Sequence, residues 1–259
     1  MYYYDLHCHT SHSSDSPSKI EEIIKIAKKR GVDGIAITDH NRTYKGPLEI
    51  DGIRIIPGNE ITVKGSRHLL AYFIDKNIKP RMDAKKTILE VQKQGGFSVL
   101  AHPFRGFSGW ESKRPKKKRA IEEAMSVVDG IEVSNASDSG DARELALEMA
   151  KKFKKFQTAG SDAHIPGQIG FSVVEVKEHL TKENFKEMLK DAKIILRPES
   201  EDFRRSIRYW KKIAVSPAKY IGVYKIQPIK ALFFRFIVRN YLRIENFKFE
   251  KINFSHKEK

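Results

Sequence analysis

Histidine and acidic residues stand where successive predicted strands end. In an extended strand, residues i and i+2 point the same way, so His7 and His9 can bind one ion together. Asp162 and His164 repeat that spacing, and a carboxylate such as Glu60 can bridge two ions. The other candidates at strand ends or in adjoining loops are Asp5, His12, Asp15, Asp39, His40, His68, His102 and Asn135.

Imidazole and carboxylate groups suit Zn, Mn or Fe rather than an ion that prefers thiolates. A single histidine or aspartate is more often structural than a ligand, and Asn135 alone is most simply a turn former. The structural interpretation is also favoured for His12, His179 and His256. Five successive strand ends that each close with His, Asp or Glu are hard to explain as a solvated rim. The joint pattern therefore predicts a metal site at one end of the fold.

Strands alternate with helices along residues 1–200, which predicts an α/β domain with largely parallel strands. Six or seven such units favour a barrel over an open sheet, and the carboxyl ends of barrel strands form the site. Strands are predicted at 2–7, 34–40, 52–62, 68–74, 97–103, 130–135, 156–164, 170–176 and 193–197. Ser18 is the predicted N-cap of the first helix, with Glu21 as its capping-box partner. The other helices are predicted at 83–94, 118–127, 141–153 and 181–191.

The charge is unevenly distributed along the chain. The 259 residues carry 49 Lys and Arg against 33 Asp and Glu, a formal net charge of +16. Residues 201–259 alone hold 15 basic and 5 acidic residues, together with 12 of the 26 aromatic residues. We therefore predict one domain over 1–200 and a basic, aromatic-rich C-terminal extension over 201–259.

The excess of positive charge favours an anionic partner, such as nucleic acid, a phosphorylated metabolite or an acidic membrane surface. A second basic run, KRPKKKR (113–119), is predicted to form a loop near the entrance to the site. No stretch approaches the roughly 18 consecutive apolar residues of a membrane span, and no targeting signal is visible. The single Cys8 excludes an intramolecular disulfide. We expect a cytoplasmic protein without a transmembrane segment.

The strand-end motifs also resemble those of a known family. DLHCHT (5–10), ITDH (37–40), GNEIT (58–62), AHP (101–103) and GSDAH (160–164) resemble, in this order, the motifs of the PHP (polymerase and histidinol phosphatase) family. The resemblance covers roughly residues 3–200. It implies a distorted seven-stranded β/α barrel with two or three divalent metal ions that hydrolyses phosphomonoesters or phosphodiesters.

The resemblance also implies a role for each motif residue. His7 and His9 would bind a first ion, with Asp162 completing its ligands and Glu60 bridging to a second. His102 would join Glu60 at that second ion.

The remaining ligands follow from the same comparison of motifs. His68 is the candidate third ligand of the second ion, and Asp15, His40 and His164 would hold a third. Asp39 would orient its neighbours rather than bind, because ligating histidines usually donate their second N–H to such a group.

Two departures limit what the resemblance implies. The family often shows SDG where this chain has SDS (14–16), which affects the local turn rather than the ligand. The interval between AHP and GSDAH is short, whereas relatives of the nucleotide-phosphatase type often carry an inserted helical domain there. The substrate class therefore cannot be carried over.

The leading hypothesis is a metal-dependent hydrolase of phosphate esters that uses a metal-activated water. Its catalytic residues would be His7, His9, Glu60 and Asp162, with Arg105 as a bidentate phosphate clamp or else a solvated loop residue. The substrate would be a phosphorylated small molecule or a nucleotide.

Two alternatives remain open. A nuclease or oligonucleotide phosphodiesterase would use the basic run and the cationic, aromatic extension to bind single strands. A non-catalytic scaffold would instead work as a subunit of an RNA–protein complex or as a membrane-surface module, with residues 228–243 as an interfacial helix. The complete ligand set argues against this second alternative, and packing of the extension onto the barrel or a second subunit is favoured.

Overall fold

The structure is a computed structural model that describes residues 1–65, 67–105, 115–190 and 192–197. The strands within these ranges are β1 (Tyr2–Cys8), β2 (Gly34–Ile37), β3 (Glu49–Ile50), β4 (Ile53–Val63), β5 (Arg67–Tyr72), β6 (Phe97–Leu100), β7 (Gly130–Asn135), β8 (Phe156–Gly160), β9 (Ser172–Val176) and β10 (Lys193–Leu196). The helices are α1 (Ile20–Lys29), α2 (Ala84–Lys93), α3 (Pro115–Met125), α4 (Gly140–Phe153) and α5 (Phe185–Lys190), with a 3-10 turn at Pro166–Gln168.

All ten strands belong to one sheet that curls into a nearly closed barrel. Its order is β10-β9-β1-β2-β4-β5-β6-β7-β8, and β3 pairs with the outer part of β4. The ring closes between β1 and the chain after β8, where the Asp162 N–H donates to the His7 carbonyl at 2.7 Å and the His9 N–H to the Ala163 carbonyl at 2.9 Å. Seven strands, β1, β2 and β4–β8, therefore surround the interior, which confirms the predicted distorted α/β barrel.

The expectation of largely parallel strands is wrong around β5. The pairs β1–β2, β2–β4, β6–β7 and β7–β8 are parallel, but β5 is antiparallel to both β4 and β6. The reason is local, because only residues 64–66 separate β4 from β5 and a parallel crossover needs a dozen residues or more. As a result His68, near the start of β5, lies opposite Thr62 near the end of β4.

The first helix starts one residue later than expected. Lys19 is its N-cap, and the Glu22 carboxylate accepts the Lys19 backbone N–H at 3.2 Å. The predicted cap, Ser18, instead donates its hydroxyl to the His164 carbonyl at 3.0 Å. Ser18 thus ties the start of α1 to the segment that closes the barrel.

Apolar residues fill the barrel and the space beneath its helices. One buried cluster takes residues from β1, β2, β4, β5, β6 and β8 and extends to Phe185 and Leu189 of α5. Two further clusters pack α1 against β1, β2 and β4, and α3 and α4 against β5–β7. Strand β7 differs from its neighbours. Its Ile131 and Val133 join the cluster beneath α3 and α4, and the residue between them, Glu132, is buried although it is acidic.

The basic run at 113–119 is described only in part, and the extension at 201–259 is not described. The basic run at 113–119 is not wholly a loop, since α3 begins at Pro115. Its side chains at 113–118 lie outside the described residues, as does the whole extension 201–259. No helix in the described part of the chain is long and apolar enough to cross a membrane.

The closure of the barrel depends on a glycine, and this can be tested by substitution. A Cβ at Gly160 would lie 2.3 Å from the Cβ of His7 and 2.6 Å from its backbone nitrogen. Overpacking of this kind costs about 1–3 kcal/mol. We expect Gly160→Ala to lower the free energy of unfolding by about that amount in urea denaturation.

The matched control is Gly140→Ala, at the start of α4. A Cβ at Gly140 meets no atom within 4 Å, and alanine favours a helix. Equal stabilities for the two variants would contradict the close approach of β8 to β1.

Candidate metal centre

Glu60, which is 1% exposed on β4, is the centre of the predicted ligand cluster. Its Oε1 lies 2.8 Å from Nδ1 of His68 and 2.9 Å from Nε2 of His102. These imidazoles come from different parts of the barrel, because His68 lies on β5 and His102 lies in the loop after β6. The hairpin of β4 and β5 therefore places an imidazole beside one side of the carboxylate.

The other oxygen of Glu60 faces three more imidazoles. Its Oε2 lies 2.9 Å from Nδ1 of His40, 3.4 Å from Nε2 of His9 and 3.6 Å from Nε2 of His7. None of these nitrogens makes a hydrogen bond to it, and Oε2 is buried without a hydrogen-bond partner. A buried anionic oxygen that lacks a hydrogen bond and lies among three imidazole nitrogens is what a cation-binding site requires. The residues present therefore fit a divalent ion.

Asp162 joins the buried side of the cluster. Its Oδ1 lies 3.1 Å from Nε2 of His9 and 3.3 Å from Nε2 of His7, while these two nitrogens are 3.2 Å apart. The His7–His9 pair predicted from its spacing does converge, although β1 is irregular between Asp5 and Cys8. Such an irregularity re-aims side chains.

A third group lies nearer the surface. Oδ2 of Asp15 is 3.3 Å from Nε2 of His40 and 3.4 Å from Nε2 of His164, and Oδ1 of Asp15 has no hydrogen-bond partner. The His164 ring stacks on that of His9, with centroids 4.2 Å apart. The loop after β1 thus meets the chain after β8 at this point.

The nine predicted ligands are gathered in one place, although their grouping differs in detail from the expected one. Seven of the nine form three sets, within each of which all donor atoms lie within 4.8 Å of one another, whereas Asp15 and His102 belong to none of the sets. The sets are His7, His9, Glu60 and Asp162; His40, Glu60 and His68; and His9, His40 and His164. His40 is thus shared between two sets, whereas the resemblance assigned it to the third ion alone.

The exposed fraction of the side chains increases from the buried end of the cluster to the rim, its end at the surface. His7 and His9 are fully buried, whereas Asp15 is 43% and His68 26% exposed. Among the described residues, the cluster is therefore accessible at the side of Asp15 and His68.

Two members of the cluster sit on strained backbone. Asp162 has φ 53° and His102 φ 26°, values that are uncommon for residues other than glycine. Such conformations persist where the surrounding structure fixes them, and they concentrate at functional sites.

The cluster perturbs the acidity of its own members in the metal-free protein. Burial raises the pKa of the Glu60 and Asp162 carboxyls, but the charge of His7, together with hydrogen bonds from other histidines and, for Asp162, the charge of Arg105, outweighs burial and holds both pKa values well below their usual range. Burial lowers the pKa of His40, but hydrogen bonding to Asp15 and contact with Glu60 raise it to about 10. Burial and the charge of His164 lower the pKa of His9 to about 4.

Arg105 lies beside the cluster, paired with carboxylates. It donates to Oδ2 of Asp162 at 2.6 Å and to Oδ1 of Asp138 at 3.4 Å, and its side chain is 37% exposed. The guanidinium is thus within reach of the rim and is not a freely solvated loop residue.

Of the three histidines predicted to be structural, the two in the described part of the chain lie apart from the ligand sets. The half-exposed His12 is 3.9 Å from Asp39. His179 packs on the Tyr2 ring with centroids 3.8 Å apart and bonds the Tyr4 hydroxyl at 2.9 Å. His256 lies outside the described residues.

Asp39 has the contacts expected of an orienting residue. Its carboxylate accepts the Thr10 backbone N–H at 2.8 Å, the Thr10 hydroxyl at 2.7 Å and the Ser13 hydroxyl at 2.8 Å. Ser13 Oγ in turn lies 3.0 Å from Nδ1 of His9. Asp39 thus acts on His9 through Ser13.

Sequence reasoning missed Glu132. Its carboxylate lies 2.9 Å from Nδ1 of His7 and accepts the His102 backbone N–H at 2.7 Å. The predicted turn former Asn135 donates its side-chain amide to the same carboxylate at 3.3 Å and accepts the Ser137 N–H. The available signal was an acid inside the otherwise apolar strand GIEV.

A cleft of about 1070 Å³ is lined by chain neighbours of the ligands, although none of the nine ligands themselves lines it. Its walls include Thr10, which follows His9, and Asp39, which precedes His40. The cleft is also lined by the cations Lys19, Arg42 and Lys45 and by the ring of Tyr44, among other residues.

Several known proteins resemble this chain in sequence or in fold. A 31% identical protein of Methanocaldococcus jannaschii, MJ1587, aligns over 51% of this chain and 81% of its own length. A probable phosphatase of Caldicellulosiruptor saccharolyticus is 28% identical over 64% of this chain and 81% of its own. The crystal structure of PsfC from Pseudomonas syringae PB-5123 superposes with a TM-score of 0.58 at 19% identity, covering 80% of this chain and 98% of PsfC, which shows a shared fold.

The PHP domain sequence profile matches residues 5–223, from the first strand-end motif past the last. The chain therefore belongs to the PHP domain family.

Proposed function

We propose that this protein hydrolyses phosphate esters, phosphomonoesters or nucleotides, with the help of two or three divalent ions such as Mn, Zn or Fe. The predicted class, a hydrolase acting on ester bonds, is confirmed by the PHP domain and the phosphatase-named relative. The observation that carries the proposal is Glu60 Oε2, a buried oxygen without a hydrogen bond among three imidazole nitrogens.

Each residue of the cluster has a distinct task in this proposal. Glu60 and Asp162 remain deprotonated in the neutral range, because their pKa values are held low, and so present anionic oxygens for cations. When bound, divalent ions lower the pKa of a coordinated water and polarise the phosphoryl group. Arg105, at the rim beside Asp162, offers a guanidinium to the phosphate oxygens.

The first test is hydrolysis by metal-replete protein. We expect protein purified with Mn²⁺ or Zn²⁺ to cleave p-nitrophenyl phosphate, and Glu60→Gln to lose about 100-fold or more in kcat/KM. That size follows because even partners of ligands are worth 10–100-fold. The control is Glu90→Gln on the exposed side of α2. Hydrolysis unaffected by Glu60→Gln would refute the assigned centre.

The raised pKa of His40 predicts proton release on metal binding. With a pKa of about 10, His40 is protonated at pH 8 in the metal-free protein, and a nitrogen ligand must be unprotonated. Binding should therefore release at least one proton at pH 8, and less as the pH passes 10. Calorimetry at pH 8 in buffers of different ionisation enthalpy measures this release. A heat of binding that is the same in every buffer would contradict it.

The adjoining cleft supports a substrate larger than a simple phosphate. Its volume of about 1070 Å³ lies just above the usual range for small-molecule sites. Lys19, Arg42 and Lys45 outnumber the lining acids Glu21 and Asp39 and so favour an anionic body, and the Tyr44 ring offers a surface for a planar group. A nucleotide meets both requirements.

Removal of one cation from the cleft tests this assignment. Loss of one exposed charge contact costs about 1 kcal/mol, or about fivefold. We expect Arg42→Ala to raise KM for a nucleotide substrate by about that factor, with kcat unchanged and with p-nitrophenyl phosphate unaffected. Equal effects on both substrates would place the nucleotide elsewhere.

A nuclease is the second candidate, because the same cationic cleft suits a strand of nucleic acid. Binding of a labelled oligonucleotide across a salt series separates the two functions. Phosphate contacts make affinity fall with salt, whereas salt-independent binding speaks against a nuclease. The cytoplasmic location, the oligomeric state and the role of 201–259 stay predictions.

A further inference from the structure

Glu132 occupies a position that burial alone would give to an apolar side chain. It is 1% exposed on β7, and the facing strands contribute Leu6, Leu70 and Val99 to the interior. A buried acid is costly unless its oxygens are bonded. Its position is therefore explained by what its two oxygens contact.

One oxygen of Glu132 acts on an imidazole. Oε1 lies 2.9 Å from Nδ1 of His7, so that nitrogen is occupied. The opposite nitrogen, Nε2, faces Asp162 Oδ1 at 3.3 Å and Glu60 Oε2 at 3.6 Å. Glu132 thus fixes both the rotation of the His7 ring and the nitrogen that His7 presents to a cation.

The second oxygen acts on a different part of the cluster. Oε2 accepts the backbone N–H of His102 at 2.7 Å and the side-chain amide of Asn135 at 3.3 Å. This bond holds His102 at φ 26°, and His102 Nε2 lies 2.9 Å from Glu60 Oε1. The strained backbone and the orientation of its imidazole are therefore fixed by the same carboxylate.

We propose that Glu132 is a positioning residue that couples two ion positions, one on each oxygen of Glu60. Through His7 it sets the position at Oε2, and through the His102 backbone it sets the position at Oε1. Because one rigid side chain serves both, disturbing it changes both positions together. The inference rests on the proposed function only in requiring that the chain bind divalent ions.

Glu132→Gln is a sharp test, because it keeps the shape and removes one acceptor. The His102 and Asn135 side needs an acceptor, and the His7 side needs one to keep the proton on Nδ1. Glutamine has one oxygen, so either orientation of its amide turns an NH₂ group toward one of these partners. Each orientation therefore disturbs a histidine that contacts Glu60, the carboxylate that both ion positions share.

The readout is zinc affinity rather than turnover. The full chain and each variant are titrated with Zn²⁺ against a competing chelator, and the first and second equivalents are measured separately. We expect Glu132→Gln to weaken both equivalents by about 10–100-fold, the usual loss when the outer partner of a ligand is changed. Weakening of one equivalent alone, or of neither, would overturn the coupling.

Glu175→Gln is the matched control. Glu175 is a partly buried glutamate on β9, 4.0 Å from Lys193 and outside the ligand sets. We expect it to bind zinc as the unchanged chain does. An equal loss of affinity in this control would mean general destabilisation and would overturn the assignment to Glu132.

A measurement on the unchanged chain covers the case in which Glu132→Gln does not fold. Long-range 15N NMR of the zinc-loaded protein should show the His7 proton on Nδ1, and a proton on Nε2 would refute the role of Glu132. Zinc binding with the expected response to Glu132→Gln, but no hydrolysis, would refute the proposed function alone. Hydrolysis with unaltered zinc affinity in the variant would refute this inference alone.

Discussion

The structure depends on how one buried carboxylate is accommodated. Glu60 is almost inaccessible, and imidazole nitrogens of five histidines lie within 3.6 Å of its oxygens. A charge taken out of water must find compensating partners. The barrel supplies them by bringing together four separate parts of the chain, so the geometry of the strands is also the geometry of the ligand cluster.

Much of the cluster could be predicted because metal ligation restricts residue types and spacing. His-x-His on an extended strand, and acids and histidines at strand ends, indicated the candidate ligands without any distances. The alternation of strands and helices likewise predicted a barrel, and seven strands do surround the interior. These features are readable because each depends on local periodicity.

The features that sequence reasoning missed depend on contacts between distant residues. The reversed direction of β5 follows from its short connection to β4, and Ser18 bonds the His164 carbonyl instead of capping α1. Glu132 is 125 residues from His7 in the chain, and its neighbours in sequence do not reveal which imidazole it meets. A burial requirement can be read from one strand, but the identity of the buried partner cannot.

The seam between β1 and the chain after β8 has a consequence for how the protein is made. His9 and Asp162 meet there although they are 153 residues apart in the chain. During synthesis the amino-terminal strand emerges early, with its histidines and without the partners that arrive much later. Long-range contacts of this kind form slowly, and unpaired strand edges promote aggregation. The full set of ligands around His9 therefore exists only after the chain near Asp162 has been made and the seam has closed.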